Sequence, residues 1–252
     1  MRIMHIDCSM GAAGDMLTAA LYELLSADER SGFVDVFNSL GIPGVVMETE
    51  PSVKCGERGT HVRMKVNGEE EGHTHGHDAH DHEHRSMKDI EHIVNDLEGL
   101  SEKVRNDVIN VYKIIADAES KAHGVPVTEV HFHEVGAMDA IADISAVCML
   151  MERIGAERVT ASPVNTGGGT VKSAHGILPV PAPATAIILE GIPYYSGDIQ
   201  SELCTPTGAA LLKYFVDDYV EMPSMTIEKE GFGMGTKDFD KPNCVKITLG
   251  EK

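Results

Sequence analysis

The sequence predicts an α/β (or α+β) protein, a mixed sheet with flanking helices, interrupted by a disordered His-rich loop. Three observations carry this. Short period-two stretches alternate with apolar residues at helical spacing along the chain. Gly/Pro-rich punctuation separates these stretches, as in GIPG at 41–44 and HGVP at 123–126. One segment, 68–84, has no hydrophobic periodicity at all and holds no Lys or Arg.

The elements follow in order. RIMHID, with Ile3 and Ile6 among polar residues, reads as a first buried strand. The small-residue turn CSMGAAGD follows, then a helix from about 13 to 25 with Met16, Ala20, Leu21 and Leu24 on one side. A second helix runs to Leu40. Between 45 and 66 the period becomes two: Val62, Met64 and Val66 share one face, and His61, Arg63 and Lys65 the other. Helical order resumes at Ser86-x-x-Asp89, a capping-box start. Ser101 caps another long helix whose stripe is Val104, Val108, Val111, Ile115, Ala118 and Ala122; the pair reads as an αα-hairpin. From Met138 a helix buries Ile141, Ile144, Val147, Met151 and Ile154. Short strands (RVTAS, CVKITL) then alternate with helices near 182–189 and 207–215. The expected division is an N-terminal α/β unit at 1–67, an acidic His-rich loop at 68–85 and a larger α/β unit at 86–252. The two structured units are either separate or parts of one domain.

Composition removes several function classes. With 21 Lys+Arg against 40 Asp+Glu the net charge is −19, and protonating all 13 His would leave it acidic, so a nucleic-acid partner is not expected. Absence of Trp and 5% aromatics argue against base-stacking platforms. No run approaches the roughly 20 apolar residues of a membrane span, so no membrane partner is expected. Asp7 and Asp15 occupy the place of a signal peptide's apolar centre. The five scattered Cys form no C-x-x-C pair, and a cytoplasmic location is the default expectation.

The residues with chemistry fall into four groups. His73, His75, His77, His80, His82 and His84 put six imidazoles within twelve residues, a composition that suits late divalent ions such as Ni(II). The plainer alternative is a solvated loop that binds such ions only in vitro. His131-Phe132-His133-Glu134 precedes Asp139 and Asp143, an i, i+4 pair on one helix face. If the segment is extended, His131 and His133 point the same way. Opposed to the two Asp across a turn at Gly136, they would form a mixed N/O metal site or an acid/base group. Asp139 is equally suited to the first turn of a helix. Asp7, Gly11, Gly14 and Asp15 lie in the first strand-to-helix turn, where amides can receive a phosphate and a carboxylate its metal. A tight turn alone is the alternative. Gly168, Thr205 and Thr207 add anion-friendly backbone, Thr207 also suiting a simple cap, and His175 stands isolated in a glycine-rich loop.

Taken together, DCSMGAAGDM, the His tract ending in HRSMKDI, KAHGVPVTEVHFHEVGAMDAIADI, SPVNTGGGTVKSAHGILPVPAPAT, ELCTPTGAALL and GFGMGTKDFDKPN resemble, in order and over nearly the whole chain, the nickel-insertion proteins called LarC. The resemblance implies a nickel chelatase or cyclometallase of the lyase class. Such a protein inserts Ni(II) into pyridinium-3,5-bisthiocarboxylic acid mononucleotide, dependent on CTP with Mn(II) or Mg(II), to make the nickel-pincer nucleotide cofactor. Cyclometallation needs a base, for which His133, Glu134 and His175 have suitable chemistry. Full-length members continue into a C-terminal region associated with CTP binding and oligomerisation. The expectation is therefore an N-terminal part that works with that region in cis or in trans, and a homo-oligomer is among the arrangements the resemblance allows. The alternative function is a nickel storage or metallochaperone module without activity of its own.

Overall fold

The computed structural model of the protein describes residues 1–70, 85–132, 134–173 and 175–252. β1 (Arg2–Asp7) leads into α1 (Gly14–Glu23), α2 (Ala27–Ser39), the hairpin β2 (Val45–Lys54) and β3 (Glu57–Val66), and the two-residue β4 (Glu69–Glu70). Past the His-rich tract come α3 (Met87–Asp96), α4 (Glu102–His123), two 3-10 turns (Val127–Glu129 and Glu134–Gly136) and α5 (Met138–Ile154). The remainder runs β5 (Arg158–Ala161), β6 (Val164–Asn165), β7 (Thr170–Ser173), β8 (Gly176–Pro179), α6 (Pro183–Ile188), β9 (Tyr194–Tyr195), α7 (Pro206–Phe215), β10 (Asp218–Tyr219), β11 (Thr226–Met234) and β12 (Cys244–Glu251).

The main sheet has the order β10-β5-β1-β12-β11-β3-β2, with β4 paired to β3. It is mixed: β1 runs parallel to β5 and antiparallel to β12, and β2 and β3 are antiparallel. β1 therefore sits between a strand from the middle of the chain and one from its end. Strands from 1–67 and from 86–252 share this sheet, and one continuous apolar core runs under both.

Local chemistry accounts for the elements. Ser26 and Glu29 form a capping box at α2, Ser26 N–H donating to Glu29 Oε2 at 2.9 Å. Ser86 and Asp89 do the same at α3, as the spacing predicts. Ser101 caps α4 by accepting from Val104 N–H at 3.0 Å. The turns Cys55-Gly56 and Asn67-Gly68 have both residues at positive φ (50° and 92°, 53° and 89°), the mirror-image turn that matches strand twist. The second of these carries the chain on into β4. The expected loop therefore begins later than residue 68: the backbone of Glu69 and Glu70 still belongs to the sheet.

α1 is buried nearly all round because it is sandwiched. It lies on β11, β3 and β12, while α5 packs on its outer side. Gly231 and Gly233, on one face of β11, make this possible, since a Cβ at either would strike the α1 backbone at Ala20 or Met16. α4 packs against α3, α5, α6 and α7. Its stripe is core from Val104 to Ala118, but Ala122, expected to continue it, is exposed where the helix outruns the layer. His61, assigned to the polar face of β3, is buried and its Nδ1 lies 2.9 Å from the carbonyl of Met234 in β11, the neighbouring strand of the sheet. Among the described residues no helix is long and apolar enough to cross a membrane.

Candidate functional site

Three helix starts converge on one side of the fold. The turn before α1 pairs with the segment before α7: Ala12 N–H donates to Leu203 O, and Thr205 N–H to Ala12 O, both at 3.0 Å. Thr205 then caps α7, accepting from Gly208 N–H at 3.1 Å. The third start, that of α5, approaches through Gly14. A Cβ there would lie 2.7 Å from both Cβ and Oδ2 of Asp143, so only glycine lets the two helices meet with a carboxylate between them.

The result is a cavity of about 280 Å³ lined by Gly14, Asp15, Asp139, Asp143, Glu202, Thr205 and Thr207, with Arg63 from β3 at its edge. Burial, and then the neighbouring charges of Asp15 and Asp139, push the Asp143 carboxyl well above the usual carboxylate range. Its Oδ1 is sealed from solvent and, among the described residues, accepts no hydrogen bond. A buried carboxylate oxygen of this kind is what a cation or a proton would satisfy. Nearby Tyr112 is raised too, by burial and then by Asp139 and Asp143, and it donates to Val135 O at 3.1 Å. The positive ends of the three helices partly offset the acidic charge. Even so, among the described residues no group of three or more His, Cys, Asp or Glu side chains stands as a ready metal cage.

A second cavity of about 350 Å³ adjoins the first, sharing Val135, Glu202 and Pro206 as a common wall. One side is apolar (Val171, Leu178, Ala182, Ala184) and the other carries Glu119, His123 and His175. The His123 and His175 rings are 4.8 Å apart between centroids and tilted by 51°. His123 Nε2 lies 3.3 Å from Glu119 Oε2. His175 occupies the turn between β7 and β8, its N–H donating to Ser173 Oγ at 3.1 Å.

The structure thus brings Gly14, Asp15, Asp139, Asp143, Thr205 and Thr207 together and sets His175 next door. Other candidates fall elsewhere. Asp7 accepts from Ser9 N–H at 2.9 Å and lines a different cavity. Gly11 packs on the Leu203 backbone and its N–H is taken by Cys8 O. Gly168 faces the Gln200 side chain.

His131 is exposed beside Asp89 and lines neither cavity, so it does not oppose Asp139 and Asp143. The reason is Phe132. It is buried edge-on against Tyr112, at 5.7 Å between centroids, and takes the inward direction of a segment bridged to Arg85. Gly136 is needed for packing on Phe132, 2.7 Å from a hypothetical Cβ, and not for the reversal expected of it. His133 lies outside the described residues, as does the tract holding His73, His75, His77, His80, His82 and His84; of Glu134 only the backbone is described. Sequence reasoning missed Arg63, Arg85, Glu119, His123 and Glu202. The i, i+4 spacing of Glu119 and His123 on a helix was the available signal for those two. Arg85 donates from Nη1 to Gly136 O at 2.7 Å and so holds the approach to α5.

An open mixed sheet carries an acidic cavity and, beside it, one with imidazoles in its lining. Comparison with known proteins gives the chain a family. The model of a family described as "Nickel insertion protein" matches residues 4–252. A pyridinium-3,5-bisthiocarboxylic acid mononucleotide nickel insertion protein of Clostridium kluyveri is 44% identical over 257 residues, covering all of this chain and 63% of the relative. Proteins of the same description from Geobacillus kaustophilus and Staphylococcus epidermidis are 38% and 39% identical, covering 100% and 98% of this chain and 60% and 58% of their own lengths. No solved structure matches significantly. The chain belongs to the nickel insertion protein family, and it spans about three fifths of the length of these relatives.

Proposed function

We propose that this chain carries the nickel-inserting site for pyridinium-3,5-bisthiocarboxylic acid mononucleotide, acting with CTP and a divalent ion. The observation that supports this best is the pair of adjoining cavities with Glu202 in their common wall. A flat pyridinium ring suits the second cavity, between apolar residues and imidazole, and its positive charge suits the neighbouring carboxylates. The substrate's phosphate would meet the starts of α1 and α7 at Gly14, Thr205 and Thr207.

Asp15, Asp139 and Asp143 are hard oxygen donors that fit Mg(II) or Mn(II), and the sealed Asp143 Oδ1 favours a cation there. When bound, such an ion would supply positive charge against a phosphate. Nickel is the cargo. The two thiocarboxylates provide sulfur ligands themselves, so the protein need not present a full cage. The six His of the tract at 73–84 would gather it. Insertion removes a proton from the ring carbon between the two thiocarboxylates. His175 is the base we favour, because it is an imidazole that lines the cavity suited to the ring. CTP binding belongs to the further length found in relatives, joined in cis or in trans. The five free thiols agree with a cytoplasmic setting.

The test is to incubate the purified chain with the metal-free mononucleotide, Ni(II), CTP and Mn(II), following nickel–sulfur absorbance and product mass. Product, or tight mononucleotide binding that becomes turnover when the remaining family region is added, is the expected result. Nickel binding with neither would overturn the proposal in favour of a nickel carrier.

A further inference from the structure

The second cavity contains more than a lone base. Glu119 and His123 are one turn apart on α4, and His175 reaches them from the β7–β8 turn, far away in sequence. The Glu119 carboxylate is only 19% exposed and lies 3.3 Å from His123 Nε2, which orients that imidazole. The His123 ring also meets His175, at a centroid separation of 4.8 Å and a tilt of 51°. Loop histidines are ordinarily free to turn. Here one is fixed at both ends, by the Ser173 Oγ bond to its backbone and by the His123 ring against its side chain.

We propose that Glu119 and His123 are positioning residues for His175, forming a carboxylate–imidazole–imidazole series that holds the base and shares the charge it acquires. The inference rests on the reading of His175 as the base in nickel insertion. As the ring C–H bond breaks, its electron pair forms the carbon–nickel bond and its proton passes to a His175 ring nitrogen. The new imidazolium is then stabilised by the His123–Glu119 pair and by Glu202 across the cavity. The proton leaves to solvent, since His123 and His175 are both exposed. No oxidation state changes, and Ni(II) gains one carbon ligand for one proton lost. Orientation of one imidazole by a neighbouring carboxylate is a general way of fixing a base's direction, and a second imidazole extends its reach.

The experiment compares the wild-type chain with E119Q, E119D, H123A and H123Q, assayed with Ni(II), CTP and Mn(II) on mononucleotide carrying hydrogen or deuterium on the reacting ring carbon. Expected is a fall in kcat of about 10- to 100-fold for E119Q and H123A, in line with lost supporting contacts, with KM nearly unchanged. A larger deuterium effect on kcat should accompany it, with partial recovery in E119D. A merely structural role would not alter the isotope effect. In parallel, 15N spectra of the imidazoles in the folded chain should show the His175 signals moving in E119Q. Unchanged kcat and isotope effect in variants of an active wild type would overturn this inference alone. An inactive wild type, even with the remaining family region added, would overturn the functional reading and this inference together.

Discussion

Asp143 shows what the acidic cavity costs the fold. Its carboxyl is raised by burial and by Asp15 and Asp139, so in the folded chain it resists ionisation. Below about pH 4 it is protonated in both folded and unfolded states. As the pH rises past that value the unfolded chain ionises first, and stability falls until the raised folded value is passed. D143N removes the charge and keeps the shape. Its Tm at pH 7, measured without divalent ions, should exceed that of the wild type by about 2–4 °C, the response of a chain this size to about 1 kcal/mol. The gap should close near pH 4. Adding Mg(II) or Mn(II) should raise the wild-type Tm and leave D143N where it was; equal metal responses would argue against a cation in this cavity.

At the scale of elements, two glycines should respond in opposite directions to the same substitution. Gly32 lies within α2 with nothing within 4 Å of a Cβ, so G32A should stabilise by about 0.5–1 kcal/mol through helix propensity. G233A should destabilise by about 1–3 kcal/mol, since its methyl meets the α1 backbone. Urea melts of both variants check the pair. The contrast also shows what was legible in the sequence. The capping residues Ser86 and Ser101 act locally, and α3 and α4 begin where those residues stand. The α1, α4 and α5 apolar patterns likewise mark real helices. What a glycine is for depends on a partner far along the chain: Gly14 on Asp143, Gly233 on Met16, Gly136 on Phe132. The candidate site divides the same way. Asp139 and Asp143 share a helix face, as their spacing says, yet Asp15 joins them through the close approach of α1 to α5 at Gly14, and Glu202 through the Ala12–Cys204 pairing. His131 was misread because an aromatic neighbour took the inward direction.

For the whole molecule, the sheet bears on domain organisation. β1 pairs with β5 and β12, and β3 pairs with β11, so residues 1–67 give up most of their sheet partners if separated from 86–252. Cutting the chain between 71 and 84 should therefore leave two fragments that co-elute and melt in a single transition. Expressed alone, 1–67 should be unfolded by circular dichroism. Two independent transitions after cleavage would instead mean two autonomous units.

The place of β1 also matters during synthesis. Of the strands in this sheet it is synthesised first, and both its edges stay unpaired until distant sequence arrives: β5 about 150 residues later, and β12 only when Cys244–Glu251 has emerged. At ordinary elongation rates that is a wait on the order of ten to fifty seconds. Through that interval Ile3, Met4 and Ile6 form an apolar strand with two open edges, the kind of segment that other nascent chains can pair with. Only when β5 and then β12 have paired with it are both edges covered.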